Sequence, residues 1–347
     1  MIINFDEANL KLFALHKVGN KSADEGYSLS EGTMEISPEL KDILTQYFVS
    51  SFKEVESYHF YHENDLKYNE VYGFVTEIFE NPAKLHSQSV NLAKHLYEKS
   101  LHPKIKGGEF YVAYFNDCMI DNESVDAIGI FKSEIKDTFL KVYSSNDNFE
   151  IESEKGINVK KLDKGCIIFN SEKENGYISF VVDNSSKGAE AHYWIDDFLQ
   201  LRQRRDEYYN TQNLLSMCKN YVTEEMPQQF EVSKADQIDM LNRSVKFFKE
   251  NDNFDMDEFS SEVVGQAEVI ESFKKYKNDY QSENEIELSD SFDISDSAVK
   301  KQSRYIKSVI KLDKNFHIYV HGNRDMIEQG TDEQGRKFYK IFYNEEE

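Results

Sequence analysis

What this chain of 347 residues lacks narrows the field first. No apolar run approaches the roughly 20 residues needed to cross a bilayer. The opening MIINFDEANLKLF has no basic stretch followed by an apolar one, so the sequence predicts a cytoplasmic chain without a membrane segment. Cysteine is scarce and odd in number. Cys118, Cys166 and Cys218 lie far apart in apolar surroundings, which predicts reduced, buried thiols rather than a disulfide framework. There is no Gly-rich phosphate loop, no Walker-type lysine, no nucleophile elbow and no internal repeat of fixed period. The close histidine pairs, His59 with His62 and His317 with His321, have no cysteine pair beside them, so neither metal nor cofactor is expected, and no small-molecule substrate is predicted. His192 and Asp196 stand one helical turn apart, a spacing that suits a local hydrogen bond before it suits catalysis.

Positive charge is the other shortage. With 64 acidic against 41 basic side chains the net charge is −23, whereas a chain that coats phosphates usually carries a basic surplus. Screening confines each charge to about 8 Å at physiological salt, so contact with a polyanion requires cations gathered on one face. What is present suffices for globular cores: 39% hydrophobic and 14% aromatic residues. At about 150 residues per domain the length points to two domains.

The stretch Tyr177–Arg205 joins the clearest strand to the clearest amphipathic pattern. Ile178, Phe180, Val181 and Val182 suit a covered strand; Asp183, Asn184, Ser185 and Ser186 stop it, with Ser185 or Ser186 as the expected N-cap of a helix. Ala191, Trp194, Ile195, Phe198 and Leu201 then recur at helical steps and should pack on the sheet. The strand, the turn with Lys187 and Gly188, and the run Tyr193-Trp194-Ile195-Asp196-Asp197-Phe198-Leu199 resemble the core of the bacterial nucleoid-associated protein NdpA family, the 37-kilodalton nucleoid-associated proteins. The similarity continues after Tyr208 and through Asp293 to Tyr343. It implies a bacterial cytoplasmic protein that sits with the nucleoid and binds double-stranded DNA, and it supplies no catalytic signature.

In chain order, Asn9–Val18 reads as a strand paired across a turn near Lys21 to Glu25. Ser37-Pro38-Glu39 opens a helix, a short strand surrounds Tyr58 to Tyr61, and helices follow at about Asn69–Phe79 and Lys84–Lys99. Closely spaced strands come next at Glu109–Phe115, Val125–Lys132, Thr138–Tyr143, Cys166–Asn170 and Tyr177–Val182, with a turn at Asn175-Gly176. The fold class is therefore α+β: a largely antiparallel N-terminal sheet with flanking helices, a helical lobe, and a C-terminal helix plus β-hairpin. The expected divisions are 1–210, 211–280 and 281–347. In the lobe, Thr211–Val222 is broken by Pro227, Ser233–Lys249 is a long helix, and Phe254–Val264 and Val269–Tyr276 are shorter ones. Asp279–Asp296, with seven acids and no Lys or Arg, reads as a solvated linker.

Two basic clusters are the candidate DNA contacts. Past the acidic run, Ser297 can cap a helix in which Lys300, Arg304, Lys307, Lys311 and Lys314 recur on one face, a rigid row able to meet phosphates without reading sequence. Such a face is equally the ordinary water-facing side of an amphipathic helix. After it, Asn315–His321 and Lys337–Tyr343 read as the two strands of one terminal hairpin, with its turn near Thr331 to Gly335. The second cluster is Arg202, Arg204 and Arg205, helped by Lys187; ion pairing with Asp206, Glu207 or a neighbouring acid is the plainer reading of these arginines. A nuclease reading rests on Glu134-Ile135-Lys136 with Asp121 or Asp126 upstream, the shape of a Mg²⁺ site. Taken together the sequence predicts a non-enzymatic, non-specific binder of duplex DNA that can pair as a homodimer. An acidic protein-interaction or DNA-mimicking module is the competing reading.

Overall fold

Alternation of apolar side chains along the central strands builds the first of two units, Met1–Arg204 and Arg205–Glu347, into which the computed structural model divides; residues 1–52, 56–145, 148–185, 193–320 and 324–345 are described. The first unit runs β1 (Ile3–Asn4), β2 (Asn9–Val18), β3 (Tyr27–Ser28), α1 (Pro38–Val49), β4 (Ser57–Phe60), α2 (Glu70–Glu80), α3 (Leu85–Lys99), β5 (Gly108–Ile120), β6 (Glu123–Ser133), β7 (Asp137–Ser145), β8 (Asn148–Gly156), β9 (Lys164–Phe169), β10 (Ile178–Asp183) and β11 (Leu201–Gln203). Among the described residues nine strands form one antiparallel sheet, in the order β11-β4-β10-β9-β6-β5-β2-β3 with β1 also on β5. Ile128, Ile130, Cys166 and Ile168 point to one face, where Val71, Val75, Leu92 and Leu96 of α2 and α3 cover them. Ala127, Phe131, Ile167 and Phe169 point to the other and meet Tyr47 and Phe48 of α1. This is the α+β arrangement that the strand spacing predicts.

At the junction the structure differs from the helical reading. Among the described residues the predicted helix is a wide π-helix, Tyr193–Leu199, and it ends before Leu201. Gln200 follows with a left-handed φ of 52°, and Arg202 then pairs with β4 as part of β11. The reason lies in Asn69, almost fully buried, whose amide donates to the carbonyls of Tyr61, Leu199 and Gln200 at 3.0, 3.1 and 3.1 Å and so satisfies the turn's orphaned acceptors. Trp194 and Phe198 still pack into the core, with ring centres 5.1 Å apart. Ser186, Lys187 and His192 lie outside the described residues, and the Ser185 hydroxyl donates to Glu134 at 2.9 Å.

The second unit comprises α4 (Glu207–Asn220), α5 (Met226–Gln229), α6 (Lys234–Glu250), β12 (Asn253–Asp255), α7 (Met256–Phe259), α8 (Ala267–Glu283), β13 (Ser291–Asp293), α9 (Asp296–Ser303), β14 (Val309–Leu312), β15 (Phe316–Tyr319), β16 (Ile327–Thr331) and β17 (Lys337–Ile341). Its centre is aromatic: Phe247, Phe248, Phe254, Phe259 and Phe273 are all buried. Pro227 does not break a helix. A π-helical turn over Tyr221–Glu225 connects α4 to α5, and the proline sits in the first turn of α5, where it has no helical N–H to lose. The acidic stretch Asp279–Asp296 is no solvated linker either. Its acids are interleaved with Leu288, which is buried, and with Phe292 on β13, whose ring stacks 4.9 Å from Phe254 across from β12.

The tail departs furthest from expectation. α9 stops at Ser303, after eight residues, and Ser295 rather than Ser297 precedes it. Lys307 therefore lies in the following connection, Lys311 on β14 and Lys314 in the turn to β15, so the five cations do not share a helical face. Val309-Ile310 is β-branched and Asp313 adopts a left-handed φ of 50°, which together favour a hairpin over a continuing helix. Ile310 is buried with Ala235 and Ile238 of α6. The terminal strands also pair differently: β17 takes β16 as its partner, not the 315–321 segment, so there are two hairpins where one is predicted.

One buried histidine gives the first unit a pH dependence. His16 on β2 is 3% exposed; its Nδ1 accepts from the Ser30 N–H at 3.1 Å, which leaves Nε2–H to face the Ser89 hydroxyl at 2.8 Å. Burial, and then the neighbouring His86, lowers its pKa from 6.5 to about 4. The folded state thus holds the neutral ring over a range in which the unfolded chain takes up a proton. Its stabilising contribution is complete above pH 6.5 and is lost as pH falls towards 4. That gap corresponds to about 3 kcal/mol. In urea titrations, the stability difference between wild type and His16→Gln should shrink by about that amount from pH 7 to pH 4; a difference independent of pH would show that His16 is not held neutral.

Candidate nucleic-acid interface

In the second unit α6 and the β14–β15 hairpin create a cationic groove that neither makes alone. Ser233 starts α6 with a reciprocal cap to Asp236, fixing which residues face outward. Arg243, Lys246 and Lys249 then recur at steps of three on its exposed side. Asn242 ties the hairpin to the helix: its side-chain oxygen accepts from the Ser308 hydroxyl and its amide donates to the Val320 carbonyl at 3.2 Å. Across the hairpin Lys311 stands opposite His317, and Val309 opposite Tyr319, so these four side chains project together.

The resulting groove, about 980 Å³, is lined by Arg243, Lys246, Lys249, Lys307 and Lys311 with His317 and Tyr319, against the two carboxylates of Asp239 and Glu250. Asp239 engages Arg243 at 2.9 Å, and Glu250 stands 3.9 Å from Lys246, at the limit of an ion pair. Lys249, Lys307 and Lys311 are exposed and make no ion pair among the described residues. Five cations against two acids, in a chain of net charge −23, is a local reversal of sign.

Of the sequence-selected residues, the groove takes Lys307 and Lys311. Lys300 is exposed in the last turn of α9, Arg304 caps that helix and Lys314 sits at the hairpin turn. Arg243, Lys246, Lys249 and His317 are additional, and the step of three in Arg243-x-x-Lys246-x-x-Lys249 is the signal that marks the helical part. The arginine cluster is engaged elsewhere. In the first unit Arg202 stacks on the Tyr61 ring, 3.2 Å from its centre, and Arg204 pairs with Glu172 at 3.0 Å, an acid that His59 also reaches at 2.9 Å. Arg205, in the second unit, pairs with Glu287. Ion pairing with neighbouring acids is thus the observed state of Arg204 and Arg205, with Glu172 and Glu287 as partners.

The nuclease constellation does not assemble. Asp126, near the start of β6, accepts from the Tyr114 hydroxyl at 2.7 Å and from Asn116. Glu134 lies past the far end of that strand, about 26 Å away along it at 3.3 Å per residue. Asp121 receives the Ile2 N–H at 2.7 Å, in the turn before β6. Glu134 itself is held by the fully buried Lys132 at 3.0 Å, by the Tyr193 hydroxyl at 3.1 Å and by the Ser185 hydroxyl at 2.9 Å, while Lys136 pairs with Glu109 at 2.6 Å. Beside it Lys164, opposite Lys132 in the sheet, pairs with Asp183 at 2.6 Å. Burial lowers the Lys132 pKa, and burial followed by the charge of Glu134 raises that of Tyr193. This network closes the ends of β6, β9 and β10. Among the described residues no three His, Cys, Asp or Glu side chains gather in a metal-holding group.

The sequence model of the family described as nucleoid-associated protein YejK matches residues 14–339. No curated protein gives a significant match.

If Glu134 is a structural anion, its loss strands a buried ammonium. Glu134→Ala should lower the unfolding free energy by about 3–5 kcal/mol. Lys136→Ala, which breaks a half-exposed pair, should cost under about 1 kcal/mol. Equal, small effects of the two substitutions in denaturant titrations would remove the structural role.

Proposed function

The chain belongs to the YejK family of nucleoid-associated proteins, and from that premise we propose that it binds double-stranded DNA without sequence preference through the groove between α6 and the β14–β15 hairpin. The observation that carries this reading is the local reversal of charge: Lys249, Lys307 and Lys311, joined by Lys246 and Arg243, stand together on a chain with 23 more acids than bases. Phosphates attract such a group over about one Debye length, roughly 8 Å, so the acids elsewhere weaken long-range steering more than they weaken contact. Lysine is suited to the task, because a point charge on a flexible stem meets a phosphate without demanding a base edge. The role is read as non-catalytic and cytoplasmic, exercised where the nucleoid is; among the described residues no helix is long and apolar enough to cross a membrane. Support for the non-catalytic reading is the engagement of Glu134 and Lys136 in separate ion pairs.

Fluorescence polarisation with a labelled duplex, titrated at several salt concentrations, tests the proposal. Three to five phosphate contacts predict a log–log slope of about −3 to −5. Reversing Lys246, Lys249, Lys307 and Lys311 to Glu should abolish most binding at moderate salt and flatten the slope, while reversal of Arg205 should leave both nearly unchanged. Unchanged affinity and slope in the fourfold variant would sink the groove. A wild-type protein that never binds the duplex, yet is retained by a basic partner, would favour the acidic interaction module.

A further inference from the structure

The β7–β8 hairpin is a sheet of its own in the first unit: among the described residues β7 and β8 pair only with each other, from Asp137↔Gly156 to Ser145↔Asn148. Every described side chain from Asp137 to Lys155 is exposed, and none joins an apolar core cluster. A two-stranded hairpin alone is at best marginal in water, so its composition should explain what sustains it. The two faces are unlike. Register places Leu140, Val142, Ile151 and Phe149 on one face, at 68%, 61%, 67% and 69% exposure. Glu150, Glu152 and Glu154 occupy the other with Phe139, Lys141 and Tyr143, tied by the Lys141–Glu154 ion pair and a 2.6 Å hydrogen bond from Tyr143 to Glu152.

We propose that this hairpin is a self-association arm whose Leu140–Val142–Ile151–Phe149 face packs against the same face of a second copy of this chain about a two-fold axis. Four large apolar side chains, each about two-thirds exposed, present on the order of 500 Å² of surface. Pairing two such faces removes about 1,000 Å² from water, the lower limit for a specific interface. The charge pattern selects the occupant. An isologous contact buries an apolar patch against itself and leaves the three glutamates of each arm facing outward. Two packed sheets are about 10 Å apart, so the outward carboxylates of opposing arms are separated by more than a Debye length. A nucleic acid finds no cation in the centre of the apolar face.

Sedimentation velocity of the full chain across a concentration series, without DNA, tests the arm independently of the groove. Wild type should sediment as a dimer and the Leu140→Glu, Phe149→Glu variant as a monomer, with unchanged far-UV circular dichroism because both positions are solvent-facing. Cross-linking gives a second readout, since Cys118, Cys166 and Cys218 are buried. With a short bismaleimide, Val142→Cys should give covalent dimers and Lys141→Cys, on the opposite face, should give few. A monomeric wild type, a dimeric double variant, or equal cross-linking from both cysteines would overturn the proposal.

Discussion

The constraint on which the first unit depends is that its central strands are apolar on both faces. Phe131 stacks on Phe48 at 4.2 Å with the rings nearly parallel, while its neighbour Ile130 faces α2 and α3 across the sheet. A sheet with one wet face needs one layer of helices; this one needs two, and each fully covered aliphatic or aromatic side chain contributes about 1.5–3 kcal/mol towards holding them. The chain meets the need before most of the sheet exists, with α1 for one face and α2–α3 for the other, and then lays β5, β6, β9 and β10 between them. The π-helical turn at Trp194 finishes the α2–α3 side. Its unusual geometry follows from having to bury a tryptophan and then return at once to the sheet edge as β11.

Where charge enters that interior it is paired. Lys132 and Lys164 stand opposite each other at the ends of β6 and β9, and each has its own carboxylate, Glu134 and Asp183. Two ammonium groups side by side in a low dielectric are unstable unless compensated, and replacing a buried pair wholesale by apolar residues is often neutral or favourable. Retention of both pairs fits a role in defining strand ends: the cluster works only when β6, β9 and β10 are in the observed register, because a one-residue slip turns these side chains to the opposite face.

Much of this fold is legible in the residues. Ser37-Pro38-Glu39 marks the start of α1, the helices α2 and α3 end at punctuated turns, and five strands follow from alternating or β-branched runs. Legibility fails where a local pattern is ambiguous by two or three residues. The steps of four and three in Lys300–Lys314 suit a helix, yet Val309-Ile310 suits a strand equally, and burial of Ile310 against Ala235 and Ile238 decides it. β8 is unmarked because Phe149 and Ile151 alternate with glutamates and face no core, so its only signal is a partner strand. The groove is half legible: Lys307 and Lys311 stand out as cations, whereas α6 attracts attention for its apolar side, and only the latch at Asn242 brings the two together.

Distribution, more than amount, governs what a chain of this charge can hold. An even spread of 41 cations among 64 acids leaves no attractive patch. Arg204 with Glu172, Arg205 with Glu287 and Lys136 with Glu109 are each balanced by an acid, whereas Lys249, Lys307 and Lys311 make no ion pair among the described residues and leave the groove locally positive. A single groove of this size is a modest anion site. Two of them, if carried by copies joined as proposed at their hairpin arms, would engage one polyanion with an effective concentration set by their separation, and such avidity can exceed either contact by 10²–10⁴ without any added charge. On that argument the apolar arm and the cationic groove answer the same problem: an acidic body holds a polyanion more readily by doubling one favourable patch than by enlarging it.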